Sequence, residues 1–173
     1  MLGPANGRLD ARVIFVAEAP GRFGGDRTGV PLTSDQSGRN FDRLLEAAGL
    51  RRDQIFVTNA VLCNPRNDRG RNATPSAREV AACRSFLRET LCLVRAPLVV
   101  TLGRVALEAL GAIEPHRLRL RRDVGQATPW TDRTLVALYH PGPRAQLHRG
   151  FAQQQQDFAH LARLLGDATM PHR

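Results

Sequence analysis

Four short apolar runs, largely β-branched, punctuate the chain at residues 13–17, 55–58, 97–101 and 135–139. Each is too short for a helix and is bounded by glycine, proline or polar residues, which predicts buried strands. Between them the apolar spacing is helical. Phe41, Leu44, Leu45 and Ala48 predict a helix over 37–48 that Gly49 stops. Val80, Cys83, Phe86, Leu87 and Leu91 predict the inward face of a second helix, opened by Thr74-Pro75 and running to about residue 94. A short helix follows over 103–110, and Phe151, Phe158, Leu161 and Leu165 mark one side of a closing helix over 146–165. The run HRLRLRR at 116–122 alternates basic residues with leucine, as an edge strand with a basic outer face would. Residues 1–11 read as a polar lead-in, 153–156 (four glutamines) as a solvated helical face, and Cys92 as core. This alternation of strands and helices predicts an α/β fold: a three-layer α/β/α sandwich with a mainly parallel four-stranded central sheet, in one domain over 1–173.

The polar residues gather where such a sheet binds ligands. The loop after the first strand, from Glu18 to about Gln36, is far longer than the 2–6 residues usual for such a connection, and it carries Gly21, Gly24, Gly25 and Gly29. Asn59 ends the second strand and His140 follows the last. Parallel strands point their carboxyl ends the same way, so Glu18, Asn59 and His140 share one sheet edge. A second loop, CNPRNDRGRNA at 63–73, is dense in arginine and asparagine.

Charge narrows the partner. The chain carries a net charge of +9, which predicts attraction to a polyanion, nucleic acid before an anionic membrane surface. All 25 basic residues are arginine, as codon usage in a GC-rich genome favours. With no lysine side chain, Schiff-base chemistry on a lysine and a P-loop phosphate contact are excluded, leaving the α-amino group as the only primary amine. Cys63, Cys83 and Cys92 make an odd count with no secretory pattern, so a reduced cytoplasm is expected. No apolar run approaches the length of a membrane span.

In order along the chain, AEAPG at 17–21, DRTGVP at 26–31, SG at 37–38, VTN at 57–59, CNPRN at 63–67, TPSAREVAAC at 74–83, VVTLG at 99–103 and YHP at 139–141 resemble the motifs of the uracil-DNA glycosylase superfamily, most closely its family 4. The resemblance implies hydrolysis of the N-glycosidic bond of uracil in DNA after the nucleotide is turned out of the helix. Within it, Asn59 would pair with the uracil edge and reject cytosine, and Ala19 would border the base. His140 would donate a hydrogen bond to uracil O2, best as a neutral imidazole. Ser37, Gly38, Gly142, Arg66, Arg69, Arg71 and Arg144 would meet phosphates. Either Arg144 or Gln146 would fill the space left in the base stack.

Three departures from family 4 change what the resemblance implies. The position after GVP is aromatic in that family and is Leu32 here, with Phe23 as a candidate substitute for stacking on the base. Hypoxanthine or xanthine therefore stands as an alternative base, and a non-catalytic nucleic-acid-binding module as an alternative function. The water-positioning carboxylate is Glu18 or Asp26, with Asp35 a more distant third. The family's [4Fe-4S] cluster takes four cysteines, of which only Cys63 and Cys83 have counterparts here. A cluster-free relative is expected, with a cluster implied only if a cysteine pair precedes this chain. DNA is the expected partner, and a monomer the expected state.

Overall fold

All five residues of Val13–Ala17 are buried, as are all five of Ile55–Asn59 and of Leu98–Leu102. Strands covered on both faces need no polar alternation, which is why these runs are continuous in sequence. In the computed structural model, which describes residues 2–167, they are β1 (Val13–Ala17), β2 (Ile55–Asn59) and β3 (Leu98–Leu102), joined by β4 (Ala127–Trp130) and β5 (Arg133–Leu138). The helices are α1 (Gly25–Thr28), α2 (Gln36–Ala47), α3 (Ala77–Leu93), α4 (Arg104–Gly111), α5 (Leu120–Asp123) and α6 (Phe151–Asp167). The predicted domain limits at residues 1 and 173 lie outside the described residues.

The sheet order is β2-β1-β3-β5-β4. The first four strands are parallel and in register from Val13 opposite Ile55 and Leu98 to Leu102 opposite Leu138. One face packs Ile14, Val16, Val99 and Leu135 against Leu87 and Leu91 of α3 and the apolar side of α4. The other packs Phe15, Val57, Val100 and Val136 against Phe41, Leu44 and Leu45 of α2 and Phe158, Leu161 and Leu165 of α6. Phe15 lies at its centre, edge-on to Phe41 with centroids 5.2 Å apart and stacked on Phe158 at 5.8 Å. The three-layer sandwich is therefore as expected, with one strand more.

That fifth strand is β4, which runs antiparallel to β5 and places Pro129 opposite Thr134. A proline fits there because an edge strand leaves one row of backbone N–H groups unpaired. The edge role expected of 116–122 thus belongs to 127–130. Asp123 redirects the earlier segment, accepting the Arg119 amide at 2.7 Å and the Arg122 guanidinium at 2.7 Å, and the chain turns into α5. Three further expectations shift. α3 is capped by Ser76, whose hydroxyl accepts from the Glu79 amide while Glu79 Oε2 accepts from the Ser76 amide at 2.7 Å. Its inward stripe is narrow, so Phe86 and Cys92 are exposed. The closing helix begins at Phe151, after a separate 3₁₀ turn at Ala145–Leu147, and Gln154 is buried with its Nε2 donating to the Arg149 carbonyl at 2.9 Å.

Candidate active site

β1 lies between β2 and β3, so the chain leaves β1 to one side and later returns on the other. A crevice opens beyond the carboxyl ends at such a reversal. A cleft of about 680 Å³ occupies it, lined by Glu18 and Ala19 after β1, Asn59 ending β2 and His140 after β5, with the loops around them. Of the other residues singled out from sequence, Phe23, Leu32, Ser37, Arg71, Gly142 and Arg144 also line this cleft. Asp26, Gly38, Arg66, Arg69 and Gln146 do not line it.

Asn59 is largely buried and lines the cleft, and its side-chain amide makes no hydrogen bond to another described residue, which leaves it open to pair with a ligand there. His140 is fixed more tightly. The Gly142 amide donates to its Nδ1 at 2.9 Å, so in the neutral ring the proton sits on Nε2. Burial lowers its pKa to about 4, against a weaker upward pull from Asp35, and the ring is neutral at physiological pH. Only glycine fits at 142, because a Cβ there would come 2.8 Å from His140 Nδ1 and 3.0 Å from Ser37 Oγ. The loop is anchored from behind by Asn40 of α2, whose Nδ2 donates to the Pro141 carbonyl at 2.7 Å while its Oδ1 accepts from Gln36 at 2.9 Å.

Glu18 is partly buried, which raises its pKa above the ordinary carboxylate value, while the charge of Arg104 opposes the rise. Asp26 is exposed and its Oδ2 accepts from Arg66 Nη2 at 2.7 Å, so these two form a surface ion pair away from the cleft. Asp35 lines the cleft and caps α2, accepting the Gly38 amide at 2.8 Å. That amide, expected to meet a phosphate, is thereby occupied.

The two loops at the cleft mouth are stitched together by asparagines. Asn64 Nδ2 donates to the Pro20 carbonyl at 2.6 Å and to Asn72 Oδ1 at 2.9 Å, and Asn72 Oδ1 also accepts the Arg22 amide at 3.0 Å. Phe23 is 63% exposed at the rim, with the Arg22 guanidinium 5.1 Å from its ring centroid. Arg69, Arg71 and Arg144 are exposed, with no side-chain ion pair among the described residues.

Sequence reasoning missed Asn40, Asn64 and Asn72. Asn40 carried a readable signal, since it lies four residues before Leu44 on the apolar face of its helix. Asn64 and Asn72 carried none beyond their place in a polar loop.

Cys63 is exposed, and Cys83 Sγ accepts the amide of Leu62 at 3.5 Å, so the two thiols flank one bend of the chain. Among the described residues no group of three or more His, Cys, Asp or Glu side chains is arranged to hold a metal ion. Two thiolates do not complete a four-cysteine cluster site.

Fold and cleft together define a parallel-sheet α/β/α protein that presents an unpaired amide, a neutral imidazole and a carboxylate to one cavity beside free guanidinium groups. The sequence model of the uracil DNA glycosylase superfamily matches residues 4–166, and the chain belongs to that superfamily. It is 31% identical to the type-4 uracil-DNA glycosylase of Thermotoga maritima, over 78% of this chain and 67% of the relative. It is 30% identical to the type-4 uracil-DNA glycosylase of Archaeoglobus fulgidus, over 94% and 81%. A type-5 uracil-DNA glycosylase of Pyrobaculum aerophilum is 35% identical, over 81% of this chain and 65% of that relative.

Proposed function

We propose that this protein hydrolyses the N-glycosidic bond of uracil in DNA, with water as nucleophile, and leaves an abasic site. The observation that carries the reading is that Asn59, whose amide makes no hydrogen bond among the described residues, and His140, whose Nδ1 is taken by the Gly142 amide so that the neutral ring is protonated on Nε2, line one cleft at the sheet edge. Asn59 offers an acceptor oxygen and donor hydrogens that complement the uracil edge, whereas cytosine presents the opposite pattern. Leu32 and Ala19 border the base.

As the C1′–N1 bond breaks, its electron pair moves onto the base, and charge grows at O2. His140 Nε2–H donates there without having to lose its proton. A preorganised donor of this kind is worth about 10²–10³ in rate. Glu18 orients the water that attacks C1′ and stabilises the cationic sugar, and a carboxylate with a raised pKa is a stronger base toward that water. The lack of lysine fits a monofunctional reaction, without an amine that would go on to break the strand. Ser37, Arg71 and Arg144 at the cleft, with Arg69 beside it, meet phosphates. The protein acts as a monomer in the cytoplasm; among the described residues no helix is long and apolar enough to cross a membrane.

The test is a cleavage assay on labelled oligonucleotides carrying one uracil, hypoxanthine or xanthine, in single and double strands, with EDTA present and hot alkali afterwards. Alkali-dependent cleavage at uracil, without cleavage before alkali, is expected. Cleavage confined to hypoxanthine or xanthine would move the reading to a changed base pocket, since Leu32 offers no aromatic face to the base. No cleavage at any of the three would favour a nucleic-acid-binding module.

A further inference from the structure

Leu32 stands at φ +47° and Ser34, two residues on, at φ +65°. Residues with a Cβ seldom adopt this left-handed backbone, so something around the segment has to hold it. Leu32 packs in part against the core on the α2 side of the sheet and lines the cleft, whereas its neighbours Val30 and Thr33 line a separate hollow of about 860 Å³ that extends to Pro4 and the start of β2. The segment is a wall with open space on two sides. At Thr33 the wall rests on Gly38, where an added Cβ would come 2.5 Å from the Thr33 Cα.

At Leu32 the backbone carbonyls are held by one side chain. Arg52 Nη1 donates to the Pro31 carbonyl at 2.9 Å, and Arg52 Nη2 donates to the Leu32 carbonyl. Its Nε donates to Asp42 Oδ1 at 2.9 Å, and its guanidinium carbon lies 5.0 Å from the centroid of the Phe41 ring. All three guanidinium nitrogens are engaged. Asp42 and Phe41, both on α2, fix the plane of the fork, and the fork fixes two consecutive carbonyls. A lysine ammonium has neither the plane nor the paired donors to do the same.

We propose that Arg52 is a positioning residue of the base pocket, holding Leu32 in its left-handed backbone so that its side chain covers the turned-out base. The proposal rests on the assignment of Leu32 to that face of the pocket. Arg52 lies outside the cleft and touches no substrate, so its effect reaches the base only through Leu32.

The experiment is a double-mutant cycle on single-turnover cleavage of a uracil-containing single strand, using wild type, Arg52→Lys, Leu32→Ala and the double variant. With Leu32 present, Arg52→Lys is expected to lower the rate by about 10- to 100-fold, the scale of a misplaced contact near the reacting atoms. In the Leu32→Ala background, with no side chain left to position, the same change should cost less than about 2-fold. A merely structural Arg52 would give equal losses in both backgrounds, which would overturn the proposal while leaving the role of Leu32 intact. An inert Leu32→Ala would overturn both. If Arg52→Lys lowers the yield of folded protein, Asp42→Ala replaces it in the cycle, since it removes the acceptor that fixes the guanidinium plane and so loosens its hold on the two carbonyls; the same coupling with Leu32→Ala is expected, and equal losses would again refute.

Discussion

Burial of the His140 imidazole makes acid stability a direct readout of the cleft. In the unfolded chain this imidazole binds a proton near pH 6.5, whereas in the folded protein burial holds that back to about 4. Below pH 6.5 the unfolded state therefore takes up a proton that the folded state refuses, so stability falls as pH drops from 6.5 to about 4 and levels off beneath it. Withholding the proton from pH 6.5 down to about 4, at about 1.4 kcal/mol per pH unit, gives a loss of about 3 kcal/mol at most, since His140 is not fully shut off from the cleft. The Gly142 amide acts in the same direction, since a proton on Nδ1 would face an N–H only 2.9 Å away. The assay is urea unfolding of wild type and His140→Asn at half-unit steps from pH 7.5 to 3.5, with the imidazole followed by NMR. The two stability curves should diverge across this window, the wild type losing up to about 3 kcal/mol more than the variant. Parallel curves, or a His140 that titrates near 6.5 in the folded protein, would refute the reasoning and with it the neutral donor.

Glu18→Gln should lower cleavage by about 10²-fold or more, whereas Asp26→Asn should leave the rate within about 2-fold, because Asp26 sits outside the cleft in an exposed ion pair. If Asp26→Asn proved the costlier change in a kinetic comparison, the carboxylate roles would be reversed. The wild-type rate should also decline on acidification with a midpoint above the ordinary glutamate value, as the raised pKa of Glu18 requires, and Glu18→Gln should remove that limb. Arg149→Met leaves the buried Asp157 carboxylate, now bonded to Arg149 at 2.6 and 2.9 Å, without its partner and should cost about 2–3 kcal/mol in thermal unfolding. Arg71→Ala should reduce the slope of log affinity against log salt by about 0.7 for a single-stranded substrate, and an unchanged slope would remove Arg71 from the phosphate contacts.

The parallel part of the sheet was legible because burial on both faces leaves an unbroken apolar run, and β1, β2, β3 and β5 each keep one. From that, the shared edge of Glu18, Asn59 and His140 followed without further information. β4 was not legible: four residues, one of them proline and three not fully buried, give no strand pattern apart from their partner. HRLRLRR gave the converse error, since its period of two is cancelled by the capture of the Arg119 amide by a single carboxylate, Asp123. Gln154 and Arg52 show the same limit within the functional half of the molecule. Each is polar in a polar stretch, and what distinguishes it is a carbonyl far along the chain or across a loop. Local pattern carries no such signal.

The two sides of the cleft are held by different kinds of contact, and this bears on how a nucleic acid would be accommodated. Asn59 ends a strand of the core and His140 lies two residues past the end of another, in a loop pinned by the buried Asn40–Pro141 hydrogen bond and by the bare Cα of Gly142. These groups are set before any ligand arrives, which is the condition for electrostatic stabilisation without reorganisation. The opposite side, from Pro20 to Phe23 and from Asn64 to Asn72, is joined by side-chain amides at or near the surface and by the exposed pair of Arg22 and Phe23. Hydrogen bonds open to water are worth about 1 kcal/mol each and can be exchanged for contacts to phosphate at little cost. Chemistry is thereby assigned to the rigid side and adjustment to the arginine-bearing side. Disrupting the amide stitch with Asn72→Ala should accordingly raise KM for DNA by several-fold and leave kcat nearly unchanged, and a fall in kcat as large as the rise in KM would contradict this division.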